Sequence, residues 1–161
     1  MASGIDRFLD KLDFPLYVVT ASSSKERSGC MVGFLTQCSM EPVRLLVCIS
    51  EKNHTHEVAL ESSHLAVHLV PAERTDLVDL FGSQTGYDLD KFSLCEWSEG
   101  PGGVPLLDGC PSRLICTVLD RTPVGDHTAL LVEALEGSGG PERPYMFGMA
   151  KQQDVEPGQP P

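Results

Sequence analysis

The stretch CISEKNHTHEVA, residues 48–59, sets Ser50, Lys52, Asn53 and Thr55 between an apolar run and the start of a helical pattern. A helix N-terminus presents unpaired N–H groups and the positive end of the helix dipole, so an anion such as phosphate binds there readily. Lys52 would add a full charge, and its polar neighbours would add short donors. The same residues also build an ordinary capped turn with Thr55 as N-cap, and the pattern alone leaves both readings open.

A second chemical segment precedes it. VGFLTQCSMEP, residues 32–42, keeps Val32, Phe34 and Leu35 yet places Thr36, Gln37, Cys38 and Ser39 in a row. It is too polar for a core strand and too apolar for a surface loop, so it reads as a semi-polar ledge beside the most apolar strand. Farther on, PVGDHTALLVEAL puts His127 at the mouth of an apolar strand, where it can touch a ligand or simply complete a Gly-Asp turn. His54, His56, His64 and His68 invite a metal reading. Two of them, 64 and 68, lie on a strand pattern that sets them roughly 13 Å apart. Zinc ligands converge much more closely, so no metal is expected. There is no G-x-G-x-x-G after a strand, no P-loop and no G-x-S-x-G elbow.

Around these segments the chain supplies one scaffold. Its 161 residues suit a single domain, and 41% are hydrophobic, enough for a real core. The net charge of −11 argues against nucleic acid and anionic membrane as partners. No run nears the ~18 apolar residues that cross a bilayer, and the N-terminus lacks a signal-peptide layout. The six cysteines form no C-x-x-C and lie mostly in apolar stretches, as buried reduced thiols of a cytoplasmic protein would.

SGIDRFLDKL, residues 3–12, reads as an amphipathic helix with a Ser3–Asp6 capping box. FPLYVVTAS, RLLVCIS, LAVHLV, RLICTVL and HTALLVEAL read as strands, with 45–49 a central strand covered on both faces. Helices are expected at 55–63 and 75–82, a loop at 137–144, a last strand at YMFGMA, and a disordered tail over 151–161 after a domain of residues 1–150. The sum is mainly β with a few short helices, arranged as a compact barrel.

In order, these pieces resemble the flavin reductase-like family of FMN-binding split barrels, small reductases that accompany two-component monooxygenases. FPLYVVTAS is similar to its opening strand, GCMVGFLTQCSMEP to its flavin-contacting segment, and RLLVCIS with KNHT to its buried strand and phosphate turn. LFGSQTGYDLDKF, GVPLLDGC and GDH resemble later signatures, and the likeness spans roughly residues 14–150. The resemblance implies a Greek-key split barrel that pairs as a homodimer and an FMN-dependent NAD(P)H:flavin oxidoreductase, with FAD as the alternative flavin. It implies that reduced flavin goes to a partner monooxygenase. By the same likeness Gly33, Phe34, Leu35, Thr36, Gln37 and Ser39 contact the flavin ring, and Ser50, Lys52, Asn53 and Thr55 its phosphate. Phe81 and Lys91 stand near the flavin's other side, and His127 positions nicotinamide. Three departures keep open a non-catalytic flavin carrier or a flavoenzyme for another organic substrate. They are Gly33-Phe34-Leu35 in place of small polar residues, Glu41-Pro42-Val43 in place of D-P-P, and no G-R-Y in YMFGMAKQ.

Overall fold

Val43–Ser50 forms the strand on which the site is built, and its burial alternates: Leu45, Val47 and Ile49 are buried while Leu46 and Cys48 are half-buried. The expectation of a strand covered on both faces is therefore corrected. Only one face meets the core; among the described residues, the other face leaves Leu46 and Cys48 half-buried. The computed structural model describes residues 1–153. Its strands in chain order are β1 (Tyr17–Ser22), β2 (Arg27–Val32), β3 (Leu35–Met40), β4 (Val43–Ser50), β5 (His64–Leu69), β6 (Trp97–Glu99), β7 (Pro105–Leu107), β8 (Arg113–Pro123) and β9 (His127–Ser138). The helices are α1 (Gly4–Leu9), α2 (His54–Glu61), α3 (Thr75–Gly82) and α4 (Phe147–Gln152).

Seven strands make one antiparallel sheet in the order β2-β1-β5-β8-β9-β4-β3, and β6 and β7 pair separately. The fold is mainly β, as expected. Cys30 and Val32 near one edge share a core with Leu45, Val47 and Ile49 near the other, and with Leu65, Leu130 and Val132 between them. The sheet therefore curls around its own apolar face without closing edge to edge. Val58 and Ala59 of α2 plug the same core. Each fully buried aliphatic side chain of this kind contributes about 1.5–3 kcal/mol. A second core, with Phe81, Leu107 and Tyr145, lies under α3 and α4.

The ledge at 35–40 is a strand after all. It is an edge strand, paired only to β4, so its outward Thr36 and Gln37 need no apolar partner. A register shift between Gln37 and Ser39 and the cis Glu41–Pro42 turn complete the hairpin. The last expected strand is instead the helix α4. Tyr145 does extend the chain for one step, its N–H donating to Val70 O and its carbonyl accepting from Leu16 N, both at 2.7 Å. The isolated bridges there involve Pro15, Pro71 and Pro144, which have no N–H to continue a ladder. The chain turns helical, with the Gly148 N–H donating to Asp13 Oδ1 at 2.8 Å. The tail expected from residue 151 thus starts within this helix, and its residues 154–161 lie outside the described ones.

Candidate functional site

The curl of the sheet, α3 and α4 enclose a cavity of about 550 Å³. The β2–β3 connection supplies Gly33 and Phe34, and β4 supplies Cys48 and Ser50. His127 opens β9, Phe81 comes from α3 and Phe147 from α4. Aromatic rings run in series along one wall. Phe147 stacks on Phe14 (4.6 Å, 10°), Phe14 leans on Phe34 (6.4 Å), and Phe34 meets the His127 ring (5.2 Å). A Cβ at Gly33 would lie 2.6 Å from Phe14 Cε2, so Phe14 can occupy this place only beside a glycine. Size and a mostly apolar lining with a few polar groups match a small-molecule site. Burial pushes the Cys30 thiol up to about 11 and raises Cys48 as well, so both face the cavity as neutral thiols.

The polar end is formed where β4 runs into α2. Asn53, not Thr55, is the N-cap: its Oδ1 accepts from Thr55 N at 3.0 Å. Thr55 is fully buried and its hydroxyl lies 2.8 Å from that of Ser28. The turn's backbone donors are also engaged. Glu51 N donates to Asp126 O (3.0 Å), Asn53 N to Ser50 O (3.0 Å) and His56 N to Asn53 O (3.0 Å). Lys52 N reaches Ser50 Oγ at 3.4 Å. Most of the N–H groups expected to be unpaired are thus engaged by Asn53, Ser50 and the neighbouring strand hairpin.

His127 sits directly opposite Ser50 in the β4–β9 register. It follows a turn in which Gly125 has φ +146, a conformation that side-chain-bearing residues rarely adopt. Its Nδ1–H donates to Asp126 Oδ1 at 2.6 Å. That bond holds the Asp126 carboxyl below its usual range, with His127 and Lys52 adding favourable charge. The Nδ1 partner leaves Nε2 as the other ring atom of an imidazole that lines the cavity.

Of the residues singled out in the sequence, the structure brings Gly33, Phe34, Ser50, Asn53, Phe81 and His127 around one cavity. Leu35 packs on the core, and Thr36, Gln37 and Ser39 continue along the edge strand away from the lining. Lys52 is exposed on the turn. Lys91 is buried, its Nζ donating to Gly29 O (3.1 Å) and Phe81 O (3.3 Å), and it lines a different cavity. Sequence reasoning missed Phe14, Gln84, Phe147 and Lys151. Phe14 and Phe147 lie far apart in the chain, and the fold joins them through their ring stack and the Phe14 carbonyl accepting from Phe147 N (2.8 Å). The four histidines do not converge. His56 Nε2 bonds Thr128 Oγ1, His64 bonds Ser63 Oγ, and His68 is sealed in the core.

The family model described as flavin reductase like domain matches residues 9–155. The chain is 30% identical over 118 residues to the FMN reductase (NADH) RutF of Stutzerimonas stutzeri, covering 73% of this chain and 67% of that protein. It is 29% identical over 128 residues to the ferric-chelate reductase (NAD(P)H) of Archaeoglobus fulgidus, covering 78% and 76%. In fold it is similar to the NADH:FAD oxidoreductase SgcE6 of Streptomyces globisporus, with a TM-score of 0.81, 24% identity and 91% of each chain covered.

Proposed function

Because this chain belongs to the flavin reductase like domain family, we propose that its aromatic cavity holds FMN and that the protein is an NAD(P)H:flavin oxidoreductase. The observation that carries this reading is the cavity itself. It combines an aromatic wall, in which Phe14 and Phe147 stack nearly parallel and Phe34 leans across toward His127, with a polar turn that supplies Ser50 and Asn53. When bound, flavin supplies the acceptor for a nicotinamide hydride, and that chemistry belongs to the cofactors.

What the chain contributes is placement. Phe14, Phe34 and Phe147 exclude water and fix a planar ligand between them and Phe81. Ser50, the Asn53 amide and Lys52 serve the phosphate as side chains, since most of the turn's backbone donors are engaged internally. The helix dipole of α2 adds to their pull. His127, locked by Asp126, orients the second substrate in a near-attack geometry and transfers no proton. Neutral Cys30 and Cys48 offer no thiolate, so no covalent step on sulfur competes.

The finer reading is a homodimer, with the flavin groove completed by a second copy. Phe34 at the cavity and Met40, Val43, Leu119 and Leu135 on the strands are exposed. A curled sheet that does not close and exposes these apolar side chains invites symmetric burial. Sedimentation equilibrium is expected to give a dimer, and a monomer with intact FMN binding would reject it. The reduced flavin then serves a partner oxygenase in the cytoplasm, where six free thiols are at home. The name of the ferric-chelate relative points to a second acceptor, a chelated ferric ion. Anaerobic stopped-flow with FMN and each nicotinamide tests the activity. Rapid bleaching of the flavin is expected, and slow bleaching with both nicotinamides would leave a flavin carrier.

A further inference from the structure

A second cavity of about 430 Å³ shares no lining residue with the first. Glu26 and His54 line it, and Glu57 stands three residues along α2 on the same helix face. One ligand atom from each of these three side chains lies within 4.8 Å of the other two.

The imidazole at the centre is held firmly. Its Nδ1 lies 2.9 Å from Ser28 Oγ and its Nε2 3.1 Å from Glu26 Oε2. A Cβ on Gly86 would come within 2.6 Å of Nδ1, and the Tyr87 ring meets the imidazole edge-on at 4.9 Å. Tyr87 also donates its hydroxyl to Glu57 Oε1 at 2.7 Å, which fixes the second carboxylate. The basic groups nearby are directed elsewhere. Arg27 pairs with Asp90 (3.8 Å) and covers Trp97, and Lys91 points its ammonium at backbone carbonyls. Two carboxylates thus face one imidazole in a protein of net charge −11, with no lysine or arginine in ion-pair range among the described residues.

We propose that Glu26, His54 and Glu57 form a binding site for a divalent transition-metal cation of the zinc class, open on the side of the second cavity. One nitrogen and two oxygens with an open position is a zinc-type donor set, whereas magnesium and calcium select oxygens alone. Bonds of about 2.0–2.2 Å bring ligand atoms to within about 4.3 Å of one another, so a small carboxylate rotation closes the set. An ionised Glu26 cannot donate, so in the metal-free site Nε2 carries the proton and Nδ1 accepts from Ser28. A cation takes the Nε2 lone pair, and the ring's proton then resides on Nδ1 and donates to Ser28. The Ser28 hydroxyl already lies 2.8 Å from Thr55 Oγ1, which can receive its hydrogen. This is the outer-shell support that ligating histidines need.

The test uses the full chain free of metal, titrated calorimetrically with zinc chloride. One saturable site per chain is expected, with no matching site for magnesium. His54→Gln and Glu57→Gln should each weaken zinc at least tenfold, and Ser28→Ala about tenfold. Zinc should raise the melting temperature of the wild type and not that of His54→Gln. If either helix variant fails to fold, Glu26→Gln carries the same demand, because its side chain is 49% exposed. Cobalt should give visible bands without a thiolate charge-transfer band. Absence of a saturable site, equal affinity in the variants, or a thiolate band that places the ion on cysteine would each overturn the proposal.

Discussion

His68 and His127 both stand beside apolar strand residues, in HLAVHLV and DHTALLV, yet they occupy opposite environments. His68 is wholly buried, with Nδ1–H donating to Val18 O and Nε2 accepting from Leu107 N, both at 3.0 Å. It ties the β6–β7 hairpin to the main sheet, and both ring nitrogens are committed to that task. His127 commits one nitrogen to Asp126 and presents its ring beside Phe34 at the cavity. A histidine's role follows from what its two nitrogens meet. One fastens the fold, and the other is left able to meet a ligand.

Acid separates the two regions most strongly. Desolvation lowers the His68 pKa to about 4, against the bond to Val18, with the Arg113 charge acting in the same direction as burial. The unfolded chain titrates near 6.5. Its stabilisation is therefore present in full above about pH 6.5 and is lost as pH falls, the loss ending below about 4. The total is on the order of 3 kcal/mol. Urea melts between pH 7.5 and 4 should show that slope in the wild type and a flatter one in His68→Phe. Equal slopes would mean that His68 is not the group that titrates.

At neutral pH the same His68→Phe change keeps bulk but leaves the buried Leu107 amide without its acceptor. A loss of about 2 kcal/mol is expected. FMN affinity per folded molecule should stay unchanged, because His68 does not line the cavity. A drop in affinity alone would blur the contrast between the two regions.

His127→Ala should do the reverse. Flavin binding and melting temperature should hold, while anaerobic reduction slows about tenfold, or about 1.4 kcal/mol of barrier. The ring touches the cavity mouth and its Asp126 partner is exposed, so little folding energy rides on it. If stability and rate fall together, His127 is a turn residue like its neighbours. If neither moves, the protein carries flavin without nicotinamide turnover.

How much of this was legible follows from what each residue answers to. β1, β4, β5, β8 and β9 are apolar because they face a core, and the Ser3–Asp6 box closes as its spacing demands, with Asp6 N donating to Ser3 Oγ at 3.1 Å. β3 escaped because an edge strand needs only its partner's hydrogen bonds, not an apolar face. α4 escaped because Pro144 and two prolines distant in sequence, Pro15 and Pro71, ended the ladder that Tyr145 had begun. In the site, Ser50 and His127 could be singled out because local chemistry marks them, and Gly33 and Phe34 through the family resemblance. Phe14 and Phe147 could not, since stacking is a property of the pair. Thr55 was the natural cap by type, but the fold buried its hydroxyl against Ser28 and handed the cap to Asn53.

Lys52 provides the smallest effect and the test of how this cavity holds an anion. Its turn has engaged most of its backbone N–H groups with Asp126, Ser50 and Asn53, so a phosphate relies chiefly on side chains and on the α2 dipole. The surrounding field is unfavourable, with a net charge of −11 and the Asp126 carboxylate close enough to feel Lys52. One exposed ammonium then adds about 1 kcal/mol, roughly a fivefold change in affinity. Lys52→Ala should weaken FMN by that factor and leave riboflavin unaltered, with a larger gap at low salt, where screening is weaker. Calorimetric titration of both ligands into both proteins decides the matter. If the wild type binds FMN and riboflavin equally, the phosphate does not lie at this turn, and the aromatic wall holds the ring system without it.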